Sequence, residues 1–289
     1  MIGKIAVFIC GPERFLPQVI KNLESTFSEY EYDNFIFIWD EDKDNRSNSS
    51  DISENINYYR KNSKVLHVEK PFNEEQISRR FGGKVLGHSS KKAMLGMFYS
   101  VSVLCDVIKK HPDFKEYTHI LRVRTDSIFF DSFTLDDYKD GSILVADNPI
   151  IPSNWVSDHL MFAPINKFLK VWGVSSLKRC NILFIFSSNN PELLLKLKSF
   201  RYAFCVKKNI KRYEDYHIVY TYNESEPSYI KKYMERDIFS LFENPPLLEQ
   251  RKNYYQLKKN IRNENEKKIL KKISSSFFGR LVISLFKGV

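Results

Sequence analysis

Glycine is scarce in this chain, ten of 289 residues, and none of them falls into a G-x-G-x-x-G or a Walker pattern. The turn Gly11-Pro12-Glu13-Arg14 therefore supports neither a dinucleotide-binding fingerprint nor a P-loop. Cysteine is scarcer still. The four, at positions 10, 105, 180 and 205, have neither C-x-x-C spacing nor close pairing. They are expected to be reduced thiols, most of them small core residues. No apolar run approaches the length of a spanning helix. The apolar run that ends at Cys10 is too short for the core of a secretion signal and lacks a cleavage site. A cytoplasmic protein is the expectation. The 16 Tyr and 23 Phe show no repeat period, which excludes a solenoid or propeller array.

What is present describes a globular chain. Hydrophobic residues make up 43% and aromatics 15%, far from the composition of a disordered protein. A length of 289 residues suits one α/β domain or two small ones. The formal charge of +10 is unevenly placed, because Lys and Arg outnumber Glu by eight within residues 252–289 alone. The remainder is near balance. That distribution argues against a chain-wide nucleic-acid surface and for a local contact with something anionic. The expected organisation is a domain over residues 1–246 and a basic, helical C-terminal segment over 247–289. In that segment Lys clusters alternate with Ile, Leu and Phe. It reads either as an amphipathic contact for an anionic membrane surface or a partner, or as a helix packed on the domain.

Along the chain, Lys4–Cys10 is a continuous apolar, β-branched run, expected to be a buried strand, and Phe15–Phe27 has helical spacing. Asn34–Trp39 and Lys64–Glu69 supply the next strands, with a short helix over Asp51–Lys61 between them. This β-α-β-α-β period predicts an α/β fold with helices on the faces of the sheet. Ser89–Lys110 is the strongest helical pattern, with Ser89 or Ser90 as N-cap and Pro112 as stop. Further strands are expected at Ser142–Ala146, Leu160–Phe162 and Arg201–Val206, and further helices over Asn166–Val174 and from Asn190-Pro191-Glu192 onward.

The stretch that organises the rest is His119–Asp131, HILRVRTDSIFFD. It opens as a strand, and alternation puts Arg122 and Arg124 on one face. Two guanidiniums and the Asp126 carboxylate inside an apolar strand need partners, since unpaired buried charge is costly. They form either a structural Arg–Asp pair or a phosphate-facing cluster at the carboxyl end of a strand, where open α/β sheets bind ligands. Arg14 at the start of the first helix is placed to meet a phosphate or is simply exposed. Lys84, in the basic glycine-containing turn Glu74–Gly87, belongs either to a loop over a phosphate or to a plain connection. A second constellation is Asn154, Trp155, Asp158 and His159 in SNWVSDHLMFAP. A Trp face with neighbouring carboxylate and amide groups suits a sugar, and a satisfied polar corner is the other reading.

These motifs carry a resemblance. Strand–G-x-x-R–helix, the long helix before LRVRTDSIFF, and SDHLMFAP followed by Asn-Pro-Glu resemble the WavE-type bacterial glycosyltransferases of lipopolysaccharide-core and capsule synthesis, over roughly residues 1–200. The resemblance implies a GT-A-like, Rossmann-type mixed sheet flanked by helices. It also implies a nucleotide-sugar donor, a lipid-linked or oligosaccharide acceptor, no nucleic-acid partner, and a peripheral position at the inner face of the inner membrane. Asp126 takes the place of the last carboxylate of the Asp-x-Asp signature, where it would hold Mn²⁺ or Mg²⁺. Arg124 stands where the first Asp would be, and an Arg can itself neutralise phosphate. By the same resemblance Arg14, Lys84 and Arg122 join Arg124 and Asp126 on the donor side. Asp158 falls where an acceptor-side carboxylate is expected, as general base or as ligand of a sugar hydroxyl, with Asn154, Trp155 and His159 beside it. Transfer of a phosphate-bearing or nucleotidyl group, and a non-catalytic adaptor of an assembly complex, are the rival readings.

Overall fold

The computed structural model describes residues 2–40, 52–73, 75–76, 91–129, 133–135, 141–147, 155–173, 190–211, 216–218, 253 and 256–268. Lys84, Asn154, and the proposed caps Ser89 and Ser90 lie outside the described residues.

The first half follows the expected alternation. β1 (Lys4–Pro12), α1 (Leu16–Thr26), β2 (Tyr32–Trp39), α2 (Ile52–Lys61) and β3 (Val65–Glu69) come in that order. They are followed by α3 (Lys91–Lys110), a 3₁₀ turn (Pro112–Glu116), β4 (Tyr117–Arg124) and β5 (Ser127–Phe129). The second half holds β6 (Ile143–Asp147), β7 (Met161–Pro164), α4 (Ile165–Trp172), α5 (Pro191–Ser199), a 3₁₀ segment (Phe200–Cys205), β8 (Val206–Lys211) and β9 (Tyr216–Ile218). Residues 256–268 form a further helix, α6.

Seven strands make one mixed sheet in the order β3-β2-β1-β4-β7-β6-β8. The pairs β3–β2, β2–β1 and β1–β4 are parallel, β7 is antiparallel to both β4 and β6, and β6 is parallel to β8. The fold is thus the Rossmann-type mixed sheet with helical flanks that the sequence predicts. β5 and β9 pair separately as an antiparallel ribbon.

Side-chain alternation divides the core. Ala6, Phe8 and Cys10 of β1, with Phe35, Phe37 and Trp39 of β2, pack with Phe98 and Leu104 of α3, Trp172 of α4 and Leu194 of α5. Ile5, Val7 and Ile9, with Ile36 and Ile38, pack with Leu16, Val19 and Leu23 of α1 and Tyr59 of α2. Both faces of the central strands are covered, which is why their sequence is continuously apolar rather than alternating. In β4, Leu121 and Val123 belong to the α1 face and Ile120 to the α3 face. Arg122 and Arg124 therefore share the α3 face with Ile120, as alternation requires.

One expected strand differs in kind, beyond shifts of one or two residues at other element ends. Arg201–Cys205 is 3₁₀ rather than strand, and β8 begins only at Val206. The apolar Phe200–Cys205 stretch continues α5 as a tighter turn, with Phe200 left exposed. The more polar Val206–Lys211 then pairs with β6, placing Ile210 in the core.

Candidate active site at the carboxyl edge of the sheet

β1 and β4 are parallel and end side by side, with Cys10 in register with Arg124. β7 runs against β4, so the loop that enters β7 at Met161 arrives at this same edge. The edge collects residues from the β1–α1 turn, the β4–β5 turn and the loop over residues 155–160.

The β4–β5 turn is narrow because the Arg124 N–H donates to Ser127 Oγ at 3.1 Å. Asp126 sits in this turn with 0% exposure. Its Oδ1 accepts from Arg124 Nε at 2.7 Å, and its Oδ2 from Arg124 Nη2 at 2.9 Å and from Arg14 Nη1 at 2.5 Å. The Arg124 pair is a fork-on-carboxylate geometry, the strongest form of charge-assisted hydrogen bond. Burial works against the Asp126 charge, but Arg124 and then Arg14 outweigh it and hold this carboxyl well below the usual range. The cluster carries one net positive charge. Its arginine side chains are partly exposed, Arg14 to 29% and Arg124 to 22%.

The β1–α1 turn that delivers Arg14 is unusual backbone. Arg14 has φ +39°, a left-handed conformation that a residue with a Cβ adopts only when its surroundings enforce it. Gly11, at φ +151°, leaves room for Thr125: a Cβ there would lie 2.8 Å from Thr125 Oγ1. Glu13 is buried and tied to α2, its Oε1 accepting from Asn55 Nδ2 at 3.0 Å and from the Tyr59 hydroxyl.

Arg122 is on the same face as Arg124 but deeper. Its guanidinium lies 4.7 Å over the Trp172 ring, and neither Nε nor Nη1 has a hydrogen-bond partner among the described residues. Burial, the largest influence, pulls its pKa down, and the Asp158 carboxylate pulls it back up. A buried cation with two guanidinium nitrogens lacking hydrogen bonds among the described residues, set over a ring face near a carboxylate, is a costly arrangement for stability alone.

Asp158 is 8% exposed, with its Oδ1 lacking a hydrogen bond among the described residues and 3.6 Å from His159 Nε2. The His159 N–H donates to Ser157 Oγ at 3.3 Å, which folds this corner back on itself. Trp155 is half-buried at the start of the loop. The loop is fastened to α5, since the Val156 N–H donates to the Glu192 carbonyl at 3.4 Å. α5 itself is capped by Asn190 Oδ1, which accepts from the Leu193 N–H at 2.8 Å. Burial and then the charge of Asp158 push the Glu192 carboxyl up to about 7.

The structure thus brings together Arg14, Arg124 and Asp126 in direct contact, with Arg122, Asp158 and His159 along the same edge. Glu192 was not legible as a site residue. In sequence it is an acidic residue in the first turn of a helix, which the helix dipole explains without any site.

The Asp126 oxygens do not fit a divalent cation in this arrangement. Three N–H groups occupy them, and no group of three His, Cys, Asp or Glu side chains suited to a metal occurs among the described residues. Hard cations of this type take about six oxygen ligands.

No protein-family model matches the sequence, and no curated protein is similar to it in sequence. Among solved structures, the chain is similar to core-mannan synthase A from Aspergillus fumigatus in its Mn/GDP form, at 13% identity and a TM-score of 0.40, covering 76% of this chain and 76% of that one. It is also similar to an active-site mutant of LgtC, at 12% identity and a TM-score of 0.38, covering 67% of this chain and 69% of that one.

Proposed function

We propose that this chain is a glycosyltransferase that moves a sugar from a nucleotide-sugar donor to a growing bacterial surface glycan, in lipopolysaccharide or capsule synthesis. The observation that carries the reading is the pairing, on one sheet edge, of a surface-reaching cationic cluster (Arg14, Arg124 and Asp126) with a separate buried carboxylate, Asp158. A nucleoside diphosphate needs the first and an acceptor hydroxyl needs the second. In the reaction the acceptor oxygen bonds to the anomeric carbon while the bond from that carbon to the diphosphate oxygen breaks. The electron pair leaves on the diphosphate, and the hydroxyl proton passes to Asp158. Guanidiniums facing the diphosphate stabilise the charge that gathers there. Trp155, Asn154 and His159 would line the acceptor sugar, and Arg122 and Lys84 would complete the donor side. An acceptor carried on lipid gives the basic C-terminal segment a role at an anionic membrane surface, on the inner face of the inner membrane. No helix among the described residues is long and apolar enough to cross a membrane.

The test is thermal stability of the protein against a panel of nucleoside diphosphates and nucleotide sugars. A ligand at ~100 times its dissociation constant stabilises the fold by about 2.7 kcal/mol. A shift with one nucleotide, followed by sugar transfer that Asp158→Asn abolishes, supports the reading. No shift with any nucleotide overturns it in favour of an adaptor with a structural Arg–Asp cluster. A shift accompanied by transfer of a phosphate-bearing group instead of a sugar assigns the rival chemistry.

A further inference from the structure

The signature position that would hold a cation is present in this chain, but its carboxylate is already spent. We infer that the donor diphosphate is neutralised directly by Arg14 and Arg124, with no divalent cation between, and that Asp126 is the buried counter-ion that fixes the two guanidiniums. This rests on the donor-site reading above and concerns how that site meets its anion.

Three observations carry it. First, most of the lone pairs of Asp126 are committed: an ionised carboxylate offers about four acceptor sites, and N–H groups occupy three of them, at 2.5, 2.7 and 2.9 Å. With 0% exposure, Asp126 presents no oxygen toward solvent, where a hydrated cation and a phosphate would have to meet it. Second, the arginine side chains are the members of the cluster with exposed surface, and the cluster bears a net charge of one positive unit, the sign that attracts a diphosphate. Third, both arginines are held in advance. Arg124 is fixed by its fork on Asp126 and by the Ser127 contact at its N–H, while Arg14 is held by a left-handed turn and has no partner other than Asp126 among the described residues. Preset guanidiniums bind phosphate oxygens with planar, paired N–H donors and lose little freedom in doing so. The position of Arg124 at the first carboxylate of the signature is then a replacement of one neutralising group by another, with Asp126 turned inward to support it.

The inference reverses the usual expectation for a signature aspartate. Removing a metal ligand abolishes diphosphate binding, whereas removing a counter-ion raises the cluster from one positive charge to two. The experiment is calorimetric titration of the full chain with inorganic pyrophosphate, in the presence of chelator and then with excess Mn²⁺ or Mg²⁺. It is run for the wild type, Arg14→Gln, Arg124→Lys and Asp126→Asn, each below its own unfolding midpoint. The expected result is binding in chelator that the cations do not strengthen. Arg14→Gln should weaken it by about tenfold or more, the loss of one charge-assisted contact. Arg124→Lys, which keeps the charge and loses the fork, should weaken it as well, and Asp126→Asn should bind as tightly or more tightly. Should Asp126→Asn fail to fold, the two arginine variants and the chelator arm decide the matter. Binding that appears only with a cation overturns the inference and leaves the donor-site reading standing. No binding of pyrophosphate or any nucleoside diphosphate, with or without cation, overturns both.

Discussion

Asp126→Asn perturbs the charge of the edge cluster with little change of shape. The side chain keeps its size and loses its charge, so two guanidiniums lose an ionic partner. Breaking a buried ion pair by removing one member costs about 3–5 kcal/mol when the survivor stays buried. Here both survivors are partly exposed, at 29% and 22% of their side chains, and can recover hydration. The expected cost is therefore somewhat lower, about 2–4 kcal/mol, or a fall in Tm of ~5–15 °C for a domain of this size. Chemical denaturation with a double-mutant cycle on Arg14→Gln isolates the pair, and a coupling of about 1–3 kcal/mol is expected. The pH dependence gives an independent check. The Asp126 carboxyl is held well below its usual range, so its contribution is complete above the unfolded value near 3.8 and is lost as pH falls below it. The difference in Tm between wild type and variant should therefore be full at pH 6 and shrink toward pH 3. A cost under ~1 kcal/mol at pH 6, or a coupling near zero, would refute the claim that this cluster is an energetically meaningful, preset unit.

Three further outcomes follow from other parts of the edge. Gly11→Ala imposes a Cβ at φ +151° and 2.8 Å from Thr125 Oγ1, and should cost about 1–3 kcal/mol. Adding Thr125→Ala should recover the steric part, and additive losses in the double variant would contradict this. Glu192, raised to about 7, contributes stability that is complete below its unfolded value near 4.5 and disappears as pH rises through 7. Tm should decline between pH 5 and pH 8 by an amount worth about 1 kcal/mol after allowance for solvent screening, and Glu192→Gln should flatten that slope; an unchanged slope in the variant points to another group. Finally, Asp147 at the end of β6 meets Lys259 Nζ at 3.1 Å and Arg262 Nη1 at 3.4 Å, which fastens α6 to the carboxyl edge of the sheet. Asp147→Asn, or high salt, should lower hydrogen-exchange protection of residues 256–268 while leaving the midpoint of global unfolding nearly unchanged, and equal protection in the variant would show that α6 is held by something else.

The sheet's central strands are legible in the chain alone, because strands buried on both faces must be apolar throughout and Lys4–Cys10 and Asn34–Trp39 are largely so. It also determined that Arg122 and Arg124 share a face, since that depends only on the two-residue period of a strand. It marked His119–Asp131 as the place where charge enters the core, because buried charge needs partners, whether in a structural Arg–Asp pair or at a phosphate. Tertiary structure decided how those charges are used. That a second guanidinium joins Arg124 on Asp126 Oδ2 depends on a left-handed turn at Arg14, more than a hundred residues earlier in the chain. The raised pKa of Glu192 follows from its burial and from the loop before β7, which hydrogen-bonds to its carbonyl and brings Asp158 beside it. The attachment of α6 through Asp147 likewise joins residues whose local sequence carries no sign of one another. Periodicity is a local property and can be read along the chain, whereas the partner of a charge is set by which ends of which strands the topology places together.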